Sequence, residues 1–300
     1  MADSMASSSR NSRFDTGNVK GAAREAKQAA RHTARSPIAQ FLARLGYAAK
    51  GLVYFLLGVL TLEAVFGKHA ASTDRNDVIR AIHNHAFGSV ILAVIAVGLF
   101  GYALWCLALA IFDMDGYGTN AKGVFTRIGY AVVGLSYIGL ALAAAKLDSG
   151  SGNGGKSTNT NAHDWTARLL AHSWGVAVVI IAGLVVLGVA AALAQQAYKA
   201  AFMRTMQSGQ MSQTVRKAVK FTGRLGLSAL SVVFAIIGLF LIVAAAHRNP
   251  NQAKGLGGAL QELINQPFGH ALLFVVALGV IAYGLYSFAE ARYRRIGAAA

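Results

Sequence analysis

Six long apolar runs, separated by short polar segments, dominate the pattern of hydrophobic and polar positions along the chain. They cover residues 45–66, 86–112, 128–147, 172–198, 225–246 and 268–289. Each run holds about 20 residues or more, which at about 1.5 Å per residue is enough to cross a hydrocarbon core of about 30 Å. Because backbone polar groups in lipid must be hydrogen-bonded within their own segment, each run predicts a transmembrane helix.

The composition favours a membrane protein over a soluble helical protein. Of the 300 residues, 55% are hydrophobic and 13% are charged, whereas about a quarter of an ordinary soluble domain is charged. In a soluble bundle, six such runs would present no polar face to water. The single cysteine, Cys106, excludes an internal disulfide.

The basic residues are distributed unevenly between the two sides of the predicted bundle. Residues 1–44, 113–127, 199–224 and 291–300 carry 19 Lys and Arg, whereas the alternate segments 67–85, 148–171 and 248–267 carry seven. Since cytoplasmic loops are enriched in Lys and Arg, both termini are expected in the cytoplasm. This distribution accounts for the net charge of +16 without a nucleic-acid partner.

The first helix of each successive helix pair carries the same motif. The aligned stretches are "ARLGYAAKGLVYFLLG" from Ala43, "TRIGYAVVGLSYIGLA" from Thr126 and "GRLGLSALSVVFAIIG" from Gly223. The seventh and fourteenth positions after each motif arginine are small and share one helical face; they are Gly51, Gly58, Gly134, Ala141, Ser231 and Gly238. We expect them at helix contacts, because small residues let helices approach closely in lipid. Leu227 and Ser231 replace Tyr and Gly in the third repeat, so looser packing is expected there.

The second helix of each pair opens with a related motif, "HAFG" at His85, "HSWG" at His172 and "QPFG" at Gln266. Apolar residues at three-and-four spacing just upstream predict a short amphipathic helix in the outer interface of each pair. The predicted units are a basic tail 1–42, repeats 43–112, 126–198 and 223–292, linkers 113–125 and 199–222, and a tail 293–300. The fold class is therefore an all-α integral membrane protein, a pseudo-threefold bundle of six transmembrane helices in three tandem pairs with short outer interfacial helices.

Three tandem helix pairs, each opening Arg-Leu/Ile-Gly and returning through an aromatic-Gly entry, resemble the bacterial membrane family catalogued as domain of unknown function 1206. The resemblance covers nearly all of residues 43–292. It implies a multi-pass protein of the bacterial cytoplasmic membrane. It brings no catalytic residues and no cofactor.

Four ionisable residues fall within the predicted spans, where a charge costs a few kcal/mol or more: Lys50, Glu63, Lys146 and Glu290. Lys50 and Glu290 lie near the predicted cytoplasmic ends, where snorkelling or a helix-end role accounts for them. Glu63 and Lys146 both lie nineteen residues past their motif arginines, so we expect them at one depth near the outer surface. A structural ion pair or independent snorkelling is favoured over a proton or ion relay.

Most of the histidines fall on the predicted outer side, including His85 and His172 at the entry motifs. An outer metal site or a pH sensor would use such residues. However, no pair has a recognised ligand spacing such as H-E-x-x-H. Interfacial polar residues are therefore the favoured interpretation, and no metal or cofactor is expected.

The stretch "GSGNGGKST", residues 150–158, fits the phosphate-binding loop pattern G-x-x-x-x-G-K-[ST] through Gly150, Gly155, Lys156 and Ser157. That pattern binds phosphate only where a strand enters the loop and a helix leaves it. Here a transmembrane helix precedes the loop, which is predicted to be on the outer side. We therefore interpret it as a flexible linker, and no enzyme is predicted.

The N-terminal tail is basic and helix-prone and lacks the apolar segment of a signal peptide. Contact with anionic headgroups is the favoured interpretation; a plain solvated tail, or a targeting or nucleic-acid segment, is the alternative. For the whole chain we expect a structural or regulatory membrane protein, and a channel or transporter with a path between the repeats is the alternative. The three prolines, Pro37, Pro250 and Pro267, lie outside the apolar runs, so the broken helices of transporters are not predicted.

Overall fold

The computed structural model describes Glu25 and residues 36–66, 75–83, 88–118, 120–148, 158–172, 174–264 and 266–296. Nine α-helices lie in these ranges: α1 Pro37–Val65, α2 Arg75–His83, α3 Gly88–Phe112, α4 Ala121–Asp148, α5 Thr158–Leu170, α6 Gly175–Lys199, α7 Gln213–Ala246, α8 Leu256–Ile264 and α9 Gly269–Tyr293. Six of them (α1, α3, α4, α6, α7 and α9) are long and apolar enough to cross a membrane. The chain is thus a nearly all-helical multi-pass membrane protein.

The long helices alternate in direction, so the bundle has two distinct ends. We call the end at which α1 begins and α9 ends the termini end, and the end that carries the short helices α2, α5 and α8 the cap end. At the cap end, α2 buries Val78 and Ile79, and α8 buries Leu260 completely. On α5, Trp165 is largely exposed, so the middle cap helix is seated less deeply than the other two.

Local sequence signals set several helix boundaries. Ser36 caps α1 by accepting a hydrogen bond from the Ala39 N–H, and Pro37 opens the helix at the position where its missing N–H costs nothing. Ser212 caps α7 in the same way through the Val215 N–H. The helix α6 ends at Lys199, and the residue that follows it, Ala200, adopts a left-handed conformation with φ of 48°.

The transmembrane helices pack side by side in the spatial order α4, α3, α1, α9, α7, α6. The interfaces between repeats (α3 with α4, α6 with α7, and α9 with α1) are the most extensive, and α1 with α3 and α7 with α9 pack within their repeats. The corresponding contact between α4 and α6 is marginal. The bundle therefore follows threefold repetition except at one place, where α4 and α6 of the second repeat do not pack together. We call this gap between α4 and α6 the seam.

The interfaces between repeats are built on the stripe of small residues. A Cβ atom placed on Gly51 would lie 3.0 Å from the carbonyl oxygen of Gly284, and one placed on Gly134 would lie 3.1 Å from that of Ala103. At the equivalent third position, the Ser231 hydroxyl donates a 2.8 Å hydrogen bond to the carbonyl oxygen of Ala190. The Ser231 hydroxyl thus links α7 to α6 by a hydrogen bond where the other repeats have a glycine, and the looser packing expected at this repeat stays a prediction.

The next turn of the stripe repeats this close approach. A Cβ atom on Gly58 would lie 2.7 Å from the Ile281 nitrogen, and one on Gly238 would lie 3.0 Å from the Gly183 carbonyl oxygen. Such distances leave no room for a side chain, so backbone meets backbone as in other close-packed membrane helices. Leu227, the other departure of the third repeat, is buried.

Candidate functional site

Four charged side chains form a connected network at the termini end. The Lys50 Nζ lies 2.6 Å from Glu290 Oε2, and Glu290 Oε1 lies 2.7 Å from an Arg294 guanidinium nitrogen. The other terminal nitrogen of Arg294 lies 3.3 Å from Asp115 Oδ2. Lys50, Glu290 and Arg294 are buried, and the Asp115 side chain is 17% exposed. Two cations and two anions alternate, so the network (the charged network below) is electrically neutral.

Tyrosine rings enclose the ammonium group of Lys50. Its Nζ lies 4.9, 5.0 and 5.2 Å from the ring centres of Tyr47, Tyr102 and Tyr283, within the range of cation–π attraction. The Tyr286 hydroxyl donates to Glu290 Oε1 at 3.3 Å. Hydroxyl groups and ring faces thus replace the water that both ions lose on burial.

Three separate parts of the chain supply the charged network. Lys50 projects from α1 and Glu290 from the last turns of α9. Asp115 lies in the α3–α4 loop, where Asp113 adopts a left-handed φ of 48° and its carboxylate accepts the N–H groups of Tyr117 and Gly118. These bonds fix the loop and hold the Asp115 carboxylate beneath α9.

The segment after α9 is held by the linker between α6 and α7. Arg294 forms an isolated antiparallel bridge with Met206, and the Gln207 N–H donates to the Tyr293 carbonyl at 2.8 Å. The Phe202 ring of the same linker packs edge-on against Tyr286, 5.0 Å between centres. The charged network therefore joins the first repeat, the α3–α4 loop and both flanks of the third repeat.

Two groups outside the spans have displaced pKa values. Burial is the main cause that raises the pKa of the Tyr117 phenol above its usual value, and Tyr130 and Asp115 beside it act in the same direction. For Arg294, burial alone would lower the pKa, but Tyr47 and Glu290 lead the groups that together raise it above its usual value. Tyr117 therefore stays neutral and Arg294 stays charged in the ordinary pH range.

The motif arginines share one role that the sequence analysis did not assign. The Arg44 guanidinium donates to the Arg292 carbonyl at 2.7 Å, Arg127 to the Ala110 carbonyl at 2.7 Å, and Arg224 to the Tyr198 carbonyl at 3.0 Å. Each arginine thus caps the C-terminal carbonyls of the helix that precedes it around the bundle, where a helix end is short of donors and attracts cations. The repeated Arg-Leu/Ile-Gly motif marks this cap.

The charges expected near the cap end remain apart. Glu63 and Lys146 are both exposed, and no ion pair joins them. The expected pairing is wrong for a geometric reason, since α3 packs against both α1 and α4, whereas α1 and α4 have at most marginal direct contact. Snorkelling remains the interpretation of Glu63, the exposed carboxylate near the cap end of α1.

The histidine and glycine-rich motifs give no further site in the described ranges. His172 is exposed, with Nδ1 3.1 Å from the Arg168 carbonyl oxygen and its ring beside Trp174. His85 and the loop from Gly150 to Ser157 lie outside the described residues. So does most of the basic tail, of which only Glu25 and the residues from Ser36 onward are described. Within the described ranges, no group of three or more His, Cys, Asp or Glu side chains could hold a metal ion.

Sequence reasoning singled out Lys50 and Glu290 but assigned them to snorkelling or a helix-end role, and the structure instead shows both buried and paired with each other. A signal was present in the repeats. Lys50 replaces the apolar Val133 and Leu230 of the other two repeats, and Glu290 stands where the other repeats have the uncharged Leu109 and Gln196. Two opposite charges that both replace uncharged residues of the repeat pattern at the same end of the bundle indicate a buried pair.

Comparison with known proteins gives three matches to one family along the chain. Residues 45–113, 128–200 and 225–294 each match the family described as Domain of Unknown Function (DUF1206). An uncharacterized protein of Bacillus subtilis (strain 168), YxxB, is 34% identical over 253 residues, which are 84% of this chain and 90% of that protein. No solved structure gives a significant match.

Proposed function

The chain belongs to the DUF1206 family, and we propose that it is a non-conducting structural or regulatory component of the bacterial cytoplasmic membrane. One observation carries this proposal. In the described part of the bundle, the two charges buried between transmembrane helices, Lys50 and Glu290, pair with each other and join Arg294 and Asp115 in one neutral network at the termini end. A path for ions or polar solutes would instead require polar groups along the whole depth of the membrane.

The packing of the bundle interior supports the same conclusion. Beyond the charged network, the tyrosines Tyr54 and Tyr137 pack edge-on against other rings between the helices. The buried hydroxyls of Thr61 and Ser287 donate to carbonyls of their own helices. These groups are satisfied locally, so they offer no continuous row of sites to a solute.

The proposed regulatory aspect rests on the segments that meet at the charged network. The α3–α4 loop, the α6–α7 linker and the segment after α9 all contribute to it, so a partner that moves one of them would disturb the other two. The exposed surface around these segments is basic: Lys199, Arg204, Arg216, Lys217, Lys220, Arg292 and Arg295. We infer that this face is cytoplasmic and contacts anionic headgroups together with the basic N-terminal tail.

Flux measurements test the proposal directly. The purified full-length protein, reconstituted in liposomes, should show no proton or ion flux above protein-free liposomes, while a channel-forming peptide in parallel liposomes confirms that flux is detected. A flux that the Glu290→Gln variant abolishes would contradict the proposal. It would favour the second candidate, a transporter that uses the buried carboxylate, for which the internal repeats and the open seam are the supporting observations.

Site-directed labelling tests the orientation. In a Cys106→Ala background, Gln210→Cys and Asn251→Cys place thiols at exposed positions of the termini end and the cap end. A membrane-impermeant reagent added outside intact cells should label position 251 and leave position 210 unlabelled until the membrane is opened. Labelling of position 210 alone would reverse the assignment.

A further inference from the structure

The seam between α4 and α6 interrupts the threefold packing. A Cβ atom placed on the motif glycine Gly46 would lie 2.6 Å from the Tyr102 nitrogen, and one placed on Gly226 would lie 2.6 Å from the Tyr283 nitrogen. A Cβ atom placed on Gly129, the same motif position in the second repeat, would meet nothing within 4 Å. In the first and third pairs the motif glycine therefore packs directly against the backbone of the partner helix. In the second pair a crevice remains between α4 and α6.

The sequence of the second repeat explains why this pair stays apart. In the first and third repeats an alanine on the first helix contacts a glycine on the second, Ala49 with Gly98 and Ala229 with Gly279. The second repeat has Val132 and Val185 at these two positions, 58% and 43% exposed, whereas Ala49 and Ala229 are 6% and 8% exposed. Two β-branched side chains cannot approach as closely as alanine and glycine, so the opening is encoded in the repeat itself.

The character of the crevice changes along its length. Its walls are apolar between Val132 and the end of α6, and the exposed Phe125 ring of α4 forms part of them, 3.4 Å from where a Cβ atom on Gly188 of α6 would lie. Nearer the termini end, α6 exposes Gln195, Gln196 and Lys199. The equivalents of Gln196 in the other repeats, Leu109 and Glu290, are buried. An apolar crevice thus ends in two amides and an ammonium group.

We propose that the seam binds one phospholipid with an anionic headgroup. An acyl chain lies in the crevice between α4 and α6, against Gly129, Val132 and Val185. The phosphate lies at the termini end, where Lys199 supplies the positive charge and the two glutamines supply N–H donors. A phospholipid matches both parts of the crevice, since its walls are apolar at hydrocarbon depth and its end carries cationic and amide groups at headgroup depth. A fully apolar ligand would leave these polar groups unused.

A variant that restores the repeat pattern tests the site. The triple change Val132→Ala, Val185→Gly and Val189→Tyr gives the second pair the residues of the first and third pairs, so α4 and α6 should close. Full-length protein is extracted, delipidated in detergent, incubated with equal phosphatidylglycerol and phosphatidylcholine, and analysed by native mass spectrometry. We expect wild-type protein to retain one phosphatidylglycerol and the triple variant to retain about tenfold less.

Matched variants separate the site from general lipid contact and from misfolding. Val97→Ala, Val275→Gly and Leu272→Tyr make the same kinds of change on exposed faces of α3 and α9 and should leave retention unchanged. Gly129→Trp, which fills the crevice from a position with open space, should lower retention without any helix closure. Lys199→Gln should abolish the preference for phosphatidylglycerol. Equal retention in the wild type and both seam variants, or a preference that does not depend on Lys199, would overturn the proposal.

Discussion

At the scale of single residues, Lys50 and Glu290 matter most for stability, because burying a charge is unfavourable unless its partner is present. Their side chains are 3% and 5% exposed and their charged atoms lie 2.6 Å apart. Removing one partner leaves the other charge buried, which typically costs about 3–5 kcal/mol, whereas removing both can be nearly neutral. We therefore predict that Glu290→Gln and Lys50→Met each strongly lower the free energy of unfolding in detergent, and that the double variant loses much less than their sum.

The control for this cycle is Glu63→Gln, which alters an exposed carboxylate of α1 and should change stability by about 0.5 kcal/mol or less. Strictly additive effects of Lys50→Met and Glu290→Gln would contradict a coupled pair. The double variant also retains Arg294 beside Asp115, so its residual loss measures how far the rest of the charged network depends on the pair.

Which charges matter could be predicted from the sequence only in part. Hydropathy alone marks Lys50, Glu63, Lys146 and Glu290 as unusual, but it cannot tell a buried pair from two snorkelling side chains, because both occur near helix ends. Their partners depend on which helices are neighbours. Lys50 meets Glu290 only because the first helix of repeat one packs against the last helix of repeat three, 240 residues away.

At the scale of helices, the three pairs offer an internal comparison at the motif glycines. Gly46→Leu and Gly226→Leu place a side chain where backbone lies 2.6 Å from the Cβ position, and overpacking of this kind typically costs about 1–3 kcal/mol. Gly129→Leu meets open space and gains helix propensity. We therefore predict that the first two variants unfold at markedly lower denaturant concentration in detergent and that Gly129→Leu is as stable as the wild type.

Gly129→Leu is the matched control for Gly46→Leu and Gly226→Leu, since it makes the same substitution at the same repeat position. If all three variants were destabilised alike, the second pair would be closed like the others and the seam would not exist. This outcome would also remove the basis for the phospholipid site. If none were destabilised, the close packing of α1 on α3 and of α7 on α9 would be contradicted.

The helices themselves, their pairing and their cap segments follow directly from hydropathy and from self-comparison of the chain. The seam does not, although its cause is visible in the alignment of the repeats: valine stands at positions 132 and 185 where the other repeats have alanine and glycine. A repeat pattern predicts what the copies share, whereas the departures of one copy become meaningful only when the neighbouring helix is known. The motif arginines illustrate the same limit, because their cap lies on the preceding repeat.

At the scale of the whole molecule, the third repeat joins the first where α9 meets α1, in the middle of the row of six helices, and Arg294 secures this junction from beyond the end of α9. Its guanidinium contacts both Glu290 and Asp115, and its backbone pairs with the α6–α7 linker at Met206. We predict that truncation after Tyr293 lowers the melting temperature and increases amide hydrogen exchange in the α3–α4 loop and the linker. Truncation after Ile296 keeps Arg294 and should behave like the wild type, and Arg294→Gln in the full chain should reproduce most of the change in the loop. Unchanged exchange in both segments after loss of Arg294 would show that α9 and α1 hold the junction by helix packing alone.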